Sequence, residues 1–200
     1  MKIIDTHTHL YLDHFKDDIS SVFKNANNIG VYKFIFPSIH SKYNNIMTKC
    51  YQKFKAQCSL MAGLHPGYVT DDYDSEISLV YENLEKYNCV AVGEIGIDLY
   101  HKNDNLRDQV SALNIQCKFA QDNNLPVVLH TRKSIDETIN IISNYKYKLK
   151  GVFHCFDGTY DQALKIIDLG FKIGIGGIIT FKNSKLRDII SRISLKNIIL

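Results

Sequence analysis

The sequence predicts an α/β fold built from about eight parallel βα units. Three observations carry that prediction. Short β-branched and aromatic runs recur at fairly regular spacing, most of them are continuously apolar, and stretches of helical periodicity separate them. Continuous apolar runs suit strands covered on both faces. Periodicity leaves two closures open, a barrel or a doubly wound sheet. A Gly-x-Gly-x-x-Gly turn after the first run would favour the sheet, and none stands there.

In chain order the predicted strands are residues 2–5, 31–36, 59–64, 90–95, 126–129, 151–156, 171–175 and 197–200. The clearest helix is 105–123, where Leu106, Val110, Leu113, Cys117 and Ala120 recur at spacings of three and four and draw one apolar stripe. Pro126 stops it. Two further helix starts carry capping boxes, Ser134-x-x-Glu137 and Thr159-x-x-Gln162, whose side chains satisfy first-turn amides. Gly170 fits just past the end of the second of these helices.

Composition is that of an ordinary globular protein, with 45% hydrophobic and 22% charged residues in 200. One domain over 1–200 is expected, because two domains of that total size would each have a small core and no Gly, Ser or Pro tract divides the chain. Five cysteines without a Cys-x-x-Cys pair signal neither a disulfide framework nor a zinc knuckle. No apolar run reaches the roughly 18 residues of a membrane span, and the N-terminus lacks the apolar core of a signal peptide. A cytoplasmic location is expected. Net charge is +3, but residues 132–200 hold 12 bases against 6 acids, with a Tyr-Lys-Tyr-Lys-Leu-Lys run at 145–150. A solvated Lys-rich surface accounts for that run more simply than a nucleic-acid strip does.

Chemistry concentrates at the ends of predicted strands. Asp5, His7 and His9 alternate after the first run, so in extended chain they face one side and the two imidazoles could chelate one ion. Glu94 interrupts the fourth run between Gly93 and Gly96, and a buried carboxylate needs a cation or hydrogen-bond partners. His130 follows the fifth run and His154 the sixth. Any one of these could be a core histidine or a structural ion pair. Together they present four imidazoles and a carboxylate from four strand ends, a donor set suited to zinc, manganese or another borderline divalent ion. Glu94, with two oxygens, can bridge a pair of ions held by His7 and His9 on one side and by His130 and His154 on the other. Such a pair polarises a scissile ester, so hydrolysis is the expected reaction.

Asp5-Thr6-His7-Thr8-His9-Leu10, Gly63-Leu64-His65-Pro66, Val92-Gly93-Glu94-Ile95-Gly96-Ile97-Asp98, Leu125-Pro126-Val127-Val128-Leu129-His130-Thr131-Arg132 and His154-Cys155-Phe156-Asp157-Gly158 together resemble the TatD-type metal-dependent deoxyribonucleases. The segment 170–183 is similar to that family's late strand and loop. The resemblance implies a TIM (β/α)8 barrel of the metal-dependent hydrolase superfamily. It also implies two divalent ions (zinc, manganese or magnesium) and 3′-to-5′ exonuclease action on DNA ends, sometimes RNA. On matching positions, His7, His9 and Glu94 would hold the first ion and Glu94, His130 and His154 the second, with Glu94 as the shared catalytic carboxylate. His65 and Arg132 would stand near the substrate phosphate.

Family members continue past the eighth strand into a Glu-Thr-Asp-Ser/Ala-Pro segment whose Asp ligates the first ion and takes the proton of the attacking water. The sequence stops at Leu200. The expectation is a barrel incomplete after its eighth strand, a weaker first metal site, and apolar surface left bare. Two other readings fit the same residues: a barrel hydrolase of lactones, amides or phosphotriesters, and a metal-binding protein without turnover. Superfamily relatives of the first kind often bridge their metals with a modified Lys on the fourth strand, whereas this chain offers Glu94. Chelator-sensitive release of nucleotides separates the nuclease from both.

Overall fold

The computed structural model describes residues 2–100, 104–146 and 148–200. Strands and helices alternate from end to end: β1 (Ile3–Asp5), α1 (Ile19–Asn28), β2 (Val31–Pro37), α2 (Asn44–Lys53), β3 (Cys58–Met61), α3 (Tyr73–Lys86), β4 (Val92–Asp98), α4 (Leu106–Asp122), β5 (Val127–Arg132), α5 (Ile135–Ser143), β6 (Gly151–Phe153), α6 (Tyr160–Asp168), β7 (Lys172–Gly174), α7 (Leu186–Ser191) and β8 (Ile198–Ile199). All strand pairs are parallel. The architecture is the eight-stranded α/β barrel, its strands in sequential order.

The ladders group the strands as β1-β2-β3 and β4-β5-β6-β7-β8. At one seam Val90 N donates to Leu60 O and Gly93 N to Ala62 O, both at 2.9 Å. At the other, Thr6 N donates to Leu200 O at 3.0 Å, and the Thr6 hydroxyl donates to the same carbonyl. The main apolar cluster lies between strands and helices, with Phe34, Phe36, Phe153, Phe156 and Phe171 among its fully buried members. A smaller cluster of Met61, Ala91, Val128 and Val152 fills part of the barrel interior. Beside it a cavity of about 680 Å³ reaches from Val90 and Pro126 at the strands' N-terminal ends to His7 and His154 at the C-terminal ends.

β4 is buried along its whole length, including the two carboxylates, Glu94 and Asp98, that interrupt and end its apolar run. Its bounds differ from expectation, Val92–Asp98 where the pattern gives 90–95, because a strand buried on both faces carries no alternation to fix its phase. The α4 stripe is more polar than the pattern implies. Gln109 and Gln116 are fully buried there, whereas Val110 is only half-buried. Each glutamine serves a strand end: Gln116 Oε1 accepts from Leu64 N at 2.8 Å, and Gln109 Oε1 accepts from Asp98 N at 2.8 Å.

Of the two expected capping boxes, one forms. Thr159 Oγ1 accepts from Gln162 N while Gln162 returns the bond to Thr159 N. Ser134 does not cap α5 with its side chain. Its buried hydroxyl instead donates to Ile97 O at 2.6 Å and accepts from Arg132 N at 3.1 Å, tying β5 to β4. Gly170 has φ +87° just past the end of α6, where a side chain would be strained. The basic run at 145–150 precedes β6 and so lies at the barrel end opposite His154. Lys146 there pairs with Asp168 at 2.7 Å and Leu149 is buried, while Tyr147 lies outside the described residues.

Candidate metal centre

The parallel βα order brings every strand's C-terminal end to one rim, which is why residues far apart in sequence meet there. Glu94 is the centre of the cluster. It is 4% exposed, and its two oxygens face different partners. Oε2 lies 3.2 Å from His7 Nε2 and 3.6 Å from His9 Nε2, and Oε1 lies 3.1 Å from His130 Nδ1 and 3.9 Å from His65 Nε2. Burial opposes ionisation of this carboxyl, yet the surrounding imidazoles outweigh it and hold Glu94 well below the usual carboxylate range.

His7 and His9 follow β1 with their Nε2 atoms 3.2 Å apart. Ligand atoms held about 2.0–2.1 Å from one tetrahedral ion stand about 3.3–3.4 Å from each other. The His7, His9 and Glu94 Oε2 atoms, at 3.2, 3.2 and 3.6 Å, match that triangle. His7 Nδ1 is buried without a hydrogen-bond partner, so hydrogen bonding through both nitrogens does not account for this imidazole's burial. The donor set and its spacing fit a divalent cation.

His130 lies opposite Gly96 in the β4–β5 register, and its imidazole fills the gap between the carboxylates on either side of that glycine. Nδ1 meets Glu94 at 3.1 Å, and Nε2 meets Asp98 Oδ2 at 3.1 Å. Burial disfavours charge on this ring, but Glu94 and Asp98 prevail and raise its pKa. The buried Asp98 also accepts from Tyr100 N through Oδ1 at 2.8 Å. In the sequence Asp98 only closes the motif that begins at Val92, with no role implied for it. Its place resembles the carboxylate that commonly backs a metal-binding histidine.

His154 stacks on His7 with ring centroids 3.5 Å apart and planes 10° from parallel. Its ligand atom lies within 4.8 Å of those of His7 and Glu94, so in this structure it adjoins the His7 side. Burial, and then repulsion from His7, depress its pKa to about 3, so the ring is neutral and able to ligate. A second group within the same spacing is His65, Glu94 and His130.

His65 Nδ1 accepts a hydrogen bond from Gly67 N at 3.0 Å. A backbone amide only donates, so in the neutral ring Nε2 carries the hydrogen. Burial lowers the pKa of His65 to about 4, which keeps it neutral. It therefore points an N–H into the cluster, a donor for an anionic oxygen rather than a lone pair for a cation. Arg132, at the end of β5, is exposed and lies over the Tyr100 ring at 4.1 Å. Both residues border an open cavity of about 480 Å³ that also reaches Glu94, His154, Cys155 and Asp157.

A rim of imidazoles around one buried carboxylate, at the C-terminal end of a parallel barrel, defines a metal-dependent hydrolase. The chain belongs to the TatD related DNase family, whose model matches residues 4–200. It is 32% identical over 202 residues to a protein of Escherichia coli (strain K12) named "uncharacterized metal-dependent hydrolase YjjV", an alignment covering 100% of this chain and 78% of that one. The crystal structure of that TatD homologue superposes with a TM-score of 0.90, covering 99% of this chain and 77% of the other. A protein of Pantoea ananatis (strain LMG 20103) named "3'-5' ssDNA/RNA exonuclease TatD" is 26% identical, with 88% of this chain and 68% of that one aligned.

Proposed function

We propose that this barrel hydrolyses phosphodiester bonds at the 3′ ends of DNA, and of RNA as a second substrate, with two divalent ions bound at the rim. One observation supports the reading most: the two oxygens of Glu94 turn to different imidazoles, as a carboxylate shared between two ions does. His7 and His9 would hold one ion with Glu94, and His130 and His154 the other, His154 reaching it from its place beside His7. Bound there, such ions would polarise the phosphoryl oxygens and supply a nucleophile at neutral pH.

The chain's own groups do the rest. Glu94 fixes the spacing of the two ligand sets from a strand that cannot shift, being buried throughout. His65 offers its Nε2–H to a phosphate oxygen, a bond that strengthens as charge builds there. Arg132, steadied by the Tyr100 ring, supplies a fixed cation at the mouth of the cavity for the backbone of the strand. Such contacts carry no base information, so cleavage independent of sequence is expected.

The test is release of mononucleotides from single-stranded DNA labelled at either end, with protein stripped by EDTA and then reloaded with Zn²⁺, Mn²⁺ or Mg²⁺. Stepwise shortening from the 3′ end, abolished by the chelator and restored by a metal, is expected. Hydrolysis of a lactone or phosphotriester with no turnover of DNA or RNA by the reloaded protein would overturn the nuclease reading.

A further inference from the structure

Tyr11, two residues beyond the His-x-His pair, is 5% exposed, and its hydroxyl makes two contacts. It lies 2.6 Å from Pro37 O and 2.9 Å from His9 Nδ1. A carbonyl oxygen only accepts, and two oxygens 2.6 Å apart without a hydrogen between them would repel. The phenolic hydrogen is therefore spent on Pro37. What remains on the hydroxyl is an acceptor, so the hydrogen of the 2.9 Å contact belongs to His9 Nδ1.

We infer that Tyr11 is a positioning residue that locks His9 in its Nδ1–H tautomer and so aims the Nε2 lone pair at the cation site beside His7 and Glu94. The inference rests on the reading of His9 as a metal ligand. The hydroxyl is well placed for this task. Its carbonyl partner closes β2, on the same rim as the site, and its ring packs edge-on against the fully buried Phe36, with centroids 5.9 Å apart. Neither anchor depends on a cation, so the tautomer is set before any ion arrives. An imidazole free to choose would pass part of its time with a hydrogen on Nε2, blocking the lone pair, and each binding event would bear that cost. Partners of this kind behind a ligating histidine typically contribute about 10–100-fold in metal affinity.

The experiment uses the 200-residue protein stripped of metal and labelled with ¹⁵N. Long-range ¹H–¹⁵N correlations of the imidazole rings read which nitrogen of His9 carries the hydrogen, and calorimetric titration with Zn²⁺ reads affinity. The parent protein is expected to show His9 as the Nδ1–H form. Tyr11→Phe keeps the ring against Phe36 and removes the acceptor, so the Nε2–H form should grow and Zn²⁺ affinity should fall about 10–100-fold. A purely structural tyrosine would leave the tautomer unmoved. The Nε2–H form in the parent protein, or Tyr11→Phe with parental tautomer and affinity, would overturn the inference. Should Tyr11→Phe not fold, the parent spectrum still decides. A His9→Ala variant that binds Zn²⁺ as tightly as the parent would instead remove the ligand role of His9 on which the inference stands.

Discussion

Glu94→Gln is expected to leave a folded barrel that holds neither ion of the proposed pair at parental affinity and hydrolyses DNA at least about 10²–10⁴-fold more slowly. An amide is close to isosteric with the carboxylate, but it is neutral and cannot offer anionic oxygens to two sides at once. Metal content by mass spectrometry and nuclease rates on the same samples check this, and parental metal content with parental rate would refute it. The metal-free protein offers a second readout. The folded pKa of Glu94 lies well below the usual carboxylate range, held there by the surrounding imidazoles, so its stabilising contribution is present above that range and drains away as pH falls through the folded value. His65 and His154, at about 4 and about 3, are neutral in the fold but take protons in the unfolded chain below about 6.5. They too weaken the fold on acidification. His130, raised above 6.5, works the other way and stabilises at low pH until pH climbs through its folded value. Against the parent protein, Glu94→Gln should lose the acid-side decline that Glu94 causes and the part of the His130 contribution that Glu94 supplies, while Asp98 keeps the rest.

Gly96→Ala is expected to be the most damaging single methyl in the protein. Gly96 has φ +146°, a region that L side chains rarely adopt, and a Cβ there would stand 2.0 Å from His130 O and 2.9 Å from His130 N. The obstacle is the backbone of the neighbouring strand, which cannot swing aside as a flexible side chain could. Backbone strain and overpacking together amount to about 2–5 kcal/mol, and for a chain of this size about 5–15 °C in melting temperature. Gly177→Ala is the control, since nothing lies within 4 Å of a Cβ there. It should stay within about 0.5 kcal/mol of the parent. Equal melting temperatures for the two variants would show that the β4–β5 contact is looser than these distances imply.

How legible the molecule is in its sequence follows from the range of each interaction. The eight strands stand out because each run is apolar by itself, and only their edges move. The five ligand candidates were legible because each polar residue breaks or ends such a run. Asp98 was harder, since an acidic residue at a strand end reads equally as solvated. Tyr11 carried no signal, because its meaning depends on Pro37, 26 residues away, and on the orientation of one hydroxyl. Ser134 shows the opposite failure: the local pattern favours a helix cap, but Ile97 O captures the hydroxyl. Gln109 and Gln116 hid within a helical stripe whose apolar neighbours made them look like edge residues.

Those two glutamines bear on how the barrel comes apart. Among the described residues the three-stranded sheet meets the five-stranded one at the β3–β4 seam through an isolated bridge, Ala62 opposite Val92, rather than an extended ladder. Yet α4 reaches both, since Gln109 grips Asp98 at the end of β4 while Gln116, two turns on, holds Leu64 just past β3. A helix undocking from one sheet must surrender its hold on the other, leaving two strand-end amides buried without acceptors. The seam between the sheets therefore shares its opening free energy with α4. In amide exchange, Leu64 and Asp98 belong to one cooperative unit, and the half-barrels melt together rather than in turn.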